Sequence, residues 1–139
     1  MAYGYVYVAQ VAMGAKDSQT LKALIEAESY PGPSLVIAYS HCIAHGYDLS
    51  HGLEHQKLAA ESGYWPLYRY DPRRADAGGH PFVLDSAHPK ADVTQLLAGE
   101  SRFRITEQHD PERYRALSSD VQRQISRRIA LYEDMAKHG

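Results

Sequence analysis

An apolar run that ends shortly before the only cysteine constrains this sequence more than any other feature. Residues Leu35 to Ala38 are continuously apolar, and Cys42 follows four positions later. An unbroken run of this kind is typical of a strand that is covered on both faces, as in a parallel sheet. Open α/β sheets bind ligands beyond the carboxyl ends of their strands. The sequence therefore predicts that the Cys42 thiol emerges where a cofactor could lie.

Signals on the amino-terminal side of this run predict a parallel βαβ unit. The segment from Tyr5 to Ala9 is rich in Tyr and Val, which favour strands. A helix is expected to begin at Asp17 or Ser18 and to end before Pro31. Its apolar positions follow the helical period, and they are Leu21, Leu24 and Ile25. The crossover is expected to be right-handed, with the two strands side by side in one sheet.

The rest of the chain predicts further helices and an antiparallel ribbon, which makes the fold class α/β. Helices are expected over 48–62, 92–98 and 111–137, and extended segments over 64–70 and 81–85. We expect the two extended segments to pair as a two-stranded arm with a long connection, more a lid than part of a core. The long last helix should dock on its own domain, with a subunit-bridging helix as the alternative. This organisation divides the chain into 1–63 and 64–139.

Composition and charge exclude several classes of partner. The 139 residues carry a net charge of −2 at pH 7, so there is no overall positive field to attract nucleic acid or anionic lipid. Apolar runs stay well below the roughly 18 residues that a membrane span needs. The start lacks the pattern of a signal peptide, and a single cysteine excludes an internal disulfide framework. We therefore expect a cytoplasmic location without a nucleic-acid or membrane partner.

Two pairs of histidines, each four residues apart, lie near the cysteine: His41 with His45, and His51 with His55. Such pairs could bind zinc if they lay on one helix face. We instead expect histidines that face solvent or lie in loops, because the first pair flanks a strand end. A thiolate–imidazole pair of Cys42 with His45 is a further alternative, although no orienting third residue or oxyanion hole is evident.

Three arginines lie in or just after the first extended segment of the ribbon, at Arg69, Arg73 and Arg74. They could hold an anion or a carboxylate across a subunit boundary, but a solvated loop is the expected arrangement. The glycines do not form a phosphate-binding loop, because most are isolated and Gly78 and Gly79 lie in a polar connection.

Six segments, taken in order along the chain, carry a resemblance to a known family. They are YGYVYVAQVAMGA at 3–15, QTLKA at 19–23, PGPSLVIAYS at 31–40, CIAHG at 42–46, SGYWPLYRYDP at 62–72 and PFVLDS at 81–86. Together they make the chain similar to the C-terminal portion of pyruvate:ferredoxin or pyruvate:flavodoxin oxidoreductase. The resemblance implies the end of a thiamine diphosphate-binding domain over 1–63, followed by a C-terminal extension over 64–139.

Members of that family are dimeric enzymes that convert pyruvate and coenzyme A to acetyl-CoA, using thiamine diphosphate, magnesium and several [4Fe-4S] clusters. Ferredoxin or flavodoxin takes the electrons. The resemblance implies that Cys42 is one ligand of the [4Fe-4S] cluster nearest the thiamine, whose other three cysteines lie elsewhere in the full enzyme. Backbone amides of Ile43 and Ala44 would then tune the cluster potential.

The family's segments for magnesium, diphosphate and pyruvate have no counterpart in this sequence. We therefore expect the chain to be a fragment that binds no thiamine diphosphate or magnesium alone, has no catalytic residues of its own and is inactive in isolation. Its expected partners are the remainder of the oxidoreductase and a second copy of itself. The alternatives are a stand-alone assembly module and, less favoured, a zinc-binding His/Cys module.

Overall fold

The fold is built on one four-stranded mixed sheet. The structure is a computed structural model that describes residues 1, 3–40 and 42–138. The first half of the described chain contains β1 (Tyr7–Val11), α1 (Asp17–Ser29), β2 (Ser34–Ala38), two 3₁₀ turns (Ile43–His45 and Leu49–His51) and α2 (Gly52–Glu61). The second half contains β3 (Tyr68–Tyr70), α3 (Arg73–Asp76), β4 (Phe82–Leu84), α4 (Val93–Gly99), α5 (Ser101–His109) and α6 (Pro111–His138). The α/β class is confirmed.

The strand order of the sheet is β2-β1-β3-β4. Strands β1 and β2 are parallel, with Val8 opposite Leu35, so the predicted parallel pair is confirmed. Strand β3 runs antiparallel to β1, and β4 runs antiparallel to β3 with Arg69 opposite Val83. The predicted antiparallel pairing of the ribbon is therefore confirmed as well. The handedness of the crossover stays a prediction.

The prediction that the run from Leu35 to Ala38 is covered on both faces holds only in part: Val36 and Ile37 are half-buried and pack against two different core clusters, whereas Leu35 and Ala38 are exposed. Strand β2 lies at one margin of the sheet, and Leu35 is 52% exposed. The buried strand is β1, in which Tyr7 and Val11 are almost inaccessible to solvent. The cause is position in the sheet, because β1 has a partner on each side. In the described residues no strand pairs with the other edge of β2.

The ribbon is part of the core and not a lid, so that expectation is wrong. Tyr68 of β3 and Phe82 of β4 are buried, and their ring centroids lie 5.4 Å apart. Tyr132 of α6 packs on both rings, at 5.4 Å from Tyr68 and 5.5 Å from Phe82. Strand β3 reaches the core because it pairs directly with β1. The division at residues 63 and 64 stays a prediction, although strands from both sides share this sheet.

Helix α1 has the predicted bounds, but its apolar stripe faces outward. Its three large apolar residues are between 47% and 60% exposed, and they are Leu21, Leu24 and Ile25. The residues it buries are small or polar: Gln19, Thr20 and Ala23. This polar burial is tolerated because the Gln19 amide donates hydrogen bonds to the Gln10 carbonyl at 3.3 Å and to Asp85 at 3.0 Å. An apolar stripe is thereby left without cover from the described residues.

Helix α6 docks on its own chain through its predicted apolar stripe. Ile125 and Ile129 are each 2% exposed and pack with Val93 and Leu97 of α4. The carboxyl-terminal half of α6 continues this contact onto the sheet through Tyr132 and Met135. The prediction that the long last helix docks on its own chain is therefore confirmed. In the part of the chain that the structure describes, no helix is both long enough and apolar enough to cross a membrane.

Helix α5 was not predicted from the sequence. It spans Ser101–His109, buries none of its residues and has a mostly polar sequence, SRFRITEQH. A helix without an apolar stripe gives no periodic signal. Its importance lies in its first residues, which reach back to the segment that follows β2.

Candidate functional site

The exposed thiol of Cys42 lies just beyond the carboxyl end of β2, as the sequence predicted. The last ladder hydrogen bond of the strand runs from the Tyr39 amide to the Val11 carbonyl at 2.9 Å. Residues 42–47, which we call the Cys42 loop, contain a 3₁₀ turn. In that turn the His45 amide donates to the Cys42 carbonyl at 3.1 Å, and the Gly46 amide donates to the Ile43 carbonyl at 3.0 Å.

The Cys42 loop is attached to the start of α5 through one carbonyl group. The backbone amide and the hydroxyl of Ser101 both donate to the Gly46 carbonyl, at 3.1 and 2.7 Å. Glycine is required at position 46 for two reasons. Its φ of +73° lies in the left-handed region, and an added Cβ would lie 2.6 Å from the Ser101 Cβ atom.

Glu100, the neighbour of Ser101, is a fully buried carboxylate beneath the same loop. Its Oε1 atom lies 2.7 Å from Nε2 of His55, and its Oε2 atom accepts a hydrogen bond from Nε of Arg102. The same Oε1 lies 4.0 Å from Nδ1 of His45. The Tyr47 ring stacks on the His55 ring with 3.9 Å between centroids. The carboxylate thus links helix α2 and helix α5 to the loop.

Three buried polar atoms around the loop have no hydrogen-bond partner among the described residues: Tyr39 Oη, His45 Nδ1 and Tyr47 Oη. A cavity of about 220 Å³ lies beyond the end of β2, and Tyr39, His45, Trp65 and Arg102 line it together with neighbouring residues. Burial raises the pKa of Tyr39 to about 12, and the Glu100 carboxylate adds to the shift. Unpaired buried polar atoms are uncommon, and they are places where water, an ion, a ligand or further protein can supply the missing partner.

The histidine alternatives gain no support from the geometry. His41 lies outside the described residues, His51 ends an exposed 3₁₀ turn, and His55 is engaged by Glu100. Among residues 1, 3–40 and 42–138, no three His, Cys, Asp or Glu side chains are grouped as a metal site would need. His45 approaches Glu100, and its contact with Cys42 is through the backbone.

The three arginines are engaged within the chain. Arg69 is buried, its guanidinium donates to both carboxylate oxygens of Asp85 at 2.8 Å, and Nη1 donates to Glu26 at 2.6 Å. Arg73 binds the Asp71 carboxylate, and Arg74 donates to the His80 carbonyl. The hydrogen bonds that Arg69 donates to the Asp85 and Glu26 carboxylates raise its pKa despite its burial. The expected solvated loop is therefore wrong for Arg69, which is a buried structural ion-pair centre.

Asp71→Asn is expected to lower stability only at pH values where the wild-type carboxylate is ionised. Hydrogen bonds from Arg73 hold the Asp71 pKa below its ordinary 3.8. A lowered folded-state pKa stabilises the native state above the unfolded value, and the contribution disappears as pH falls through the folded value. The free energy of unfolding of the wild type should exceed that of the variant by about 0.5–1 kcal/mol at pH 6. At low pH the two proteins should be equally stable. Urea unfolding at both pH values measures this difference. In a protein that also carries Arg73→Gln, Asp71→Asn should cause no pH-dependent loss of stability, because the cation that pairs with Asp71 is gone.

Sequence reasoning missed the residues beneath the Cys42 loop. Glu100 and Ser101 lie more than 50 positions after the loop, where α4 ends and α5 begins, and nothing in their spacing connects them to it. The one available signal is Ser101 itself, because serine often marks the start of a helix. Its bond to Gly46 could not be read from that signal.

Comparison with known proteins places the whole chain in one group of enzymes, although no family model matches it. It is 54% identical over 136 residues to the pyruvate-flavodoxin oxidoreductase of Rhodospirillum rubrum and 47% identical over 137 residues to the pyruvate:ferredoxin oxidoreductase of Moorella thermoacetica. A probable pyruvate-flavodoxin oxidoreductase of Escherichia coli is 46% identical over 136 residues. These matches cover 98 to 99% of this chain but only 11 to 12% of each relative. The chain spans about a ninth of the length of these relatives, and by sequence it belongs to the family of pyruvate-flavodoxin and pyruvate:ferredoxin oxidoreductases.

Proposed function

We propose that this chain serves a complete oxidoreductase of its family as the segment that contributes one cysteine ligand to an iron–sulfur cluster. The observation that carries the proposal is the exposed thiol of Cys42 just beyond the carboxyl end of β2. A sulfur in that position can meet protein that docks at the open margin of the sheet. By itself the chain is expected to be inactive.

The donor set fits a shared cluster and not one enclosed by this chain. A [4Fe-4S] cluster takes about four ligands, most often thiolates. Cys42 is the only cysteine in the sequence, and the described residues contain no group of three potential metal ligands. The remaining ligands would come from protein outside this chain. The amides of Ile43 and Ala44 lie at the start of the 3₁₀ turn, directly after Cys42, and would support a sulfur atom there.

Exposed apolar side chains next to Cys42 and elsewhere on this chain support contact with further protein. Ile43, its neighbour, is 81% exposed, and Leu35 is exposed at the sheet margin. The apolar stripe of α1 is also uncovered. Covering such side chains is favourable by about 25 cal/mol for each Å² removed from water. The relatives are about nine times longer than this chain, so the polypeptide that would cover this surface exists in the family.

The reaction proposed for the complete enzyme is the oxidative decarboxylation of pyruvate to acetyl-CoA, with ferredoxin or flavodoxin as electron acceptor. A bound cluster would supply one-electron transfer. The role of this chain's residues is to bind and to shield. Cys42 would hold iron, while the rings of Tyr39 and Trp65, which line the cavity at the end of β2, would restrict access of water there.

Cys42→Ala in the complete enzyme is expected to remove the iron and sulfide of one cluster from each subunit. The physical reason is that alanine offers no ligand to iron. Iron and sulfide analysis, together with electron paramagnetic resonance of the reduced enzyme, measures the loss. Ile43→Ala is the matched control, because it changes an adjacent exposed side chain that has no sulfur. Full iron content and an unchanged resonance spectrum in Cys42→Ala would contradict the proposal.

A stand-alone assembly module is the second candidate, and the uncovered apolar stripe of α1 is the observation that favours it. The two candidates predict different behaviour of Cys42→Ala, because an assembly role needs no thiol. Both candidates predict no binding heat when the 139-residue chain is titrated with thiamine diphosphate and magnesium in a calorimeter. Micromolar binding in that titration would show that the chain holds the coenzyme alone.

A further inference from the structure

We propose that Glu100 and Ser101 are positioning residues that fix the Cys42 loop in the geometry that a metal ligand needs. The inference rests on the proposed role of Cys42 and extends it to two residues at the junction of α4 and α5. Neither residue would touch iron. Both would act through the backbone and side chains of residues 45–47.

The loop has little internal support. Cys42, Ile43 and Ala44 are exposed, and the 3₁₀ turn buries none of its residues. Among the residues that the structure describes, two hydrogen bonds hold the turn together, and the His45 and Gly46 amides donate them. Short 3₁₀ turns have poor hydrogen-bond geometry and low stability on their own. The order of the loop must therefore come from contacts with other elements.

Ser101 supplies the first of those contacts. Its amide and hydroxyl converge on the Gly46 carbonyl, which directly follows the turn. The same hydroxyl accepts a hydrogen bond from Nη2 of Arg104, one turn further along α5, so its orientation is fixed. Two donors on one carbonyl anchor the carboxyl end of the loop to a helix terminus. Position 46 accommodates this approach only as glycine.

Glu100 supplies the second contact from beneath. A fully buried carboxylate is costly unless it is completely paired, and here His55 and Arg102 pair it. The paired His55 ring then carries the stacked Tyr47 ring, the last residue of the loop. His45 lies 4.0 Å from the same carboxylate. The carboxylate therefore fixes the Tyr47 ring by way of His55 in α2, and it lies close to His45 without a hydrogen bond to it.

The convergence of these contacts separates the pair from ordinary packing. Adjacent residues of one interhelical junction reach the same loop by independent routes, one through the backbone and one through a buried ion-pair network. Around metal sites, residues that do not bind the metal commonly hold the metal-binding residues in place through hydrogen bonds. Loss of one contact should loosen the loop without unfolding the sheet.

The test uses the complete enzyme that carries this chain, with hydrogen–deuterium exchange at the amides of His45 and Gly46 as its main measurement. Ser101→Ala is expected to speed exchange there about five- to tenfold, which is the effect of losing one hydrogen bond. Ser101→Thr keeps a hydroxyl and should restore the wild-type rate. Ser126→Ala is the matched control, because its hydroxyl donates to a backbone carbonyl on an exposed turn of α6.

Glu100→Gln should loosen the same amides at least as much, because a neutral amide cannot satisfy both His55 and Arg102 as the carboxylate does. In each loosened variant, the resonance spectrum of the reduced cluster should broaden while freshly prepared enzyme keeps its iron. Exchange at the amides of β1 should stay at the wild-type rate. If Glu100→Gln unfolds, the Ser101 variants decide the outcome.

Wild-type exchange at His45 and Gly46 together with an unchanged spectrum in Ser101→Ala would overturn the positioning role. Failure of the underlying function gives a different result. If Cys42→Ala keeps every cluster, the ligand role is wrong, whereas the exchange rates would still report whether Ser101 fixes the loop. The two failures are therefore distinguishable.

Discussion

Replacing Arg69 with alanine is expected to lower the free energy of unfolding by about 3–5 kcal/mol. The guanidinium is buried between the Asp85 and Glu26 carboxylates, and the second oxygen of Glu26 accepts a hydrogen bond from the Tyr7 hydroxyl at 3.0 Å. Alanine would leave both of these largely buried carboxylates without their cation. Urea unfolding of the 139-residue chain, monitored by circular dichroism, measures the loss.

Arg123→Ala is the control for this substitution. Arg123 pairs with Asp120 on the exposed surface of α6, where an ion pair is worth about 0–1 kcal/mol. In the background of Asp85→Asn, Arg69→Ala should cost less than it does in the wild type, because one of the stranded charges is already gone. A loss below about 1 kcal/mol for Arg69→Ala alone would show that the network contributes little to stability.

Ile129→Ala is expected to cost about 2–5 kcal/mol, because it opens a cavity where α6 meets α4. The side chain is 2% exposed and packs in the cluster that contains Val93, Leu97 and Ile125. Alanine favours helix more than isoleucine does, so any loss comes from packing and not from the helix itself. The measurement is again the unfolding free energy in urea.

Leu131→Ala, two residues along the same helix, is the matched control. Leu131 is 56% exposed, so its truncation should change stability by less than about 0.5 kcal/mol. Equal effects of the two substitutions would contradict the docking of α6 on its own chain. A large loss of unfolding free energy for Ile129→Ala alone would show that α6 is part of the core.

Much of the local structure follows from residue spacing. The apolar positions of α6 recur at steps of three and four, and they predicted both the helix and its docking on the chain. Pro31 and Gly32 end α1 as expected, and the run at Leu35 forms a strand parallel to β1. These features depend on residues close in sequence, whose periodicity is visible without the fold.

The exposure of each element could not be predicted in the same way. The apolar run of β2 and the apolar stripe of α1 both indicated burial, yet Leu35 of β2 and the whole stripe of α1 are exposed in this chain. Spacing shows which residues share a face, but the neighbour that covers the face is a property of the assembly. In a family whose members are about nine times longer, that neighbour can belong to protein outside these 139 residues.

By itself, the sequence determined the types of most elements, the α/β class, the family and the position of one cysteine after a strand. The tertiary structure decided the strand order and the groups that surround the cysteine. Ser101 reaches Gly46 across 55 positions, Glu100 reaches His55 across 45, and Arg69 reaches Glu26 across 43. Hydrogen bonds and ion pairs over such separations leave no periodic pattern in a sequence, because they depend only on where folding brings the two partners.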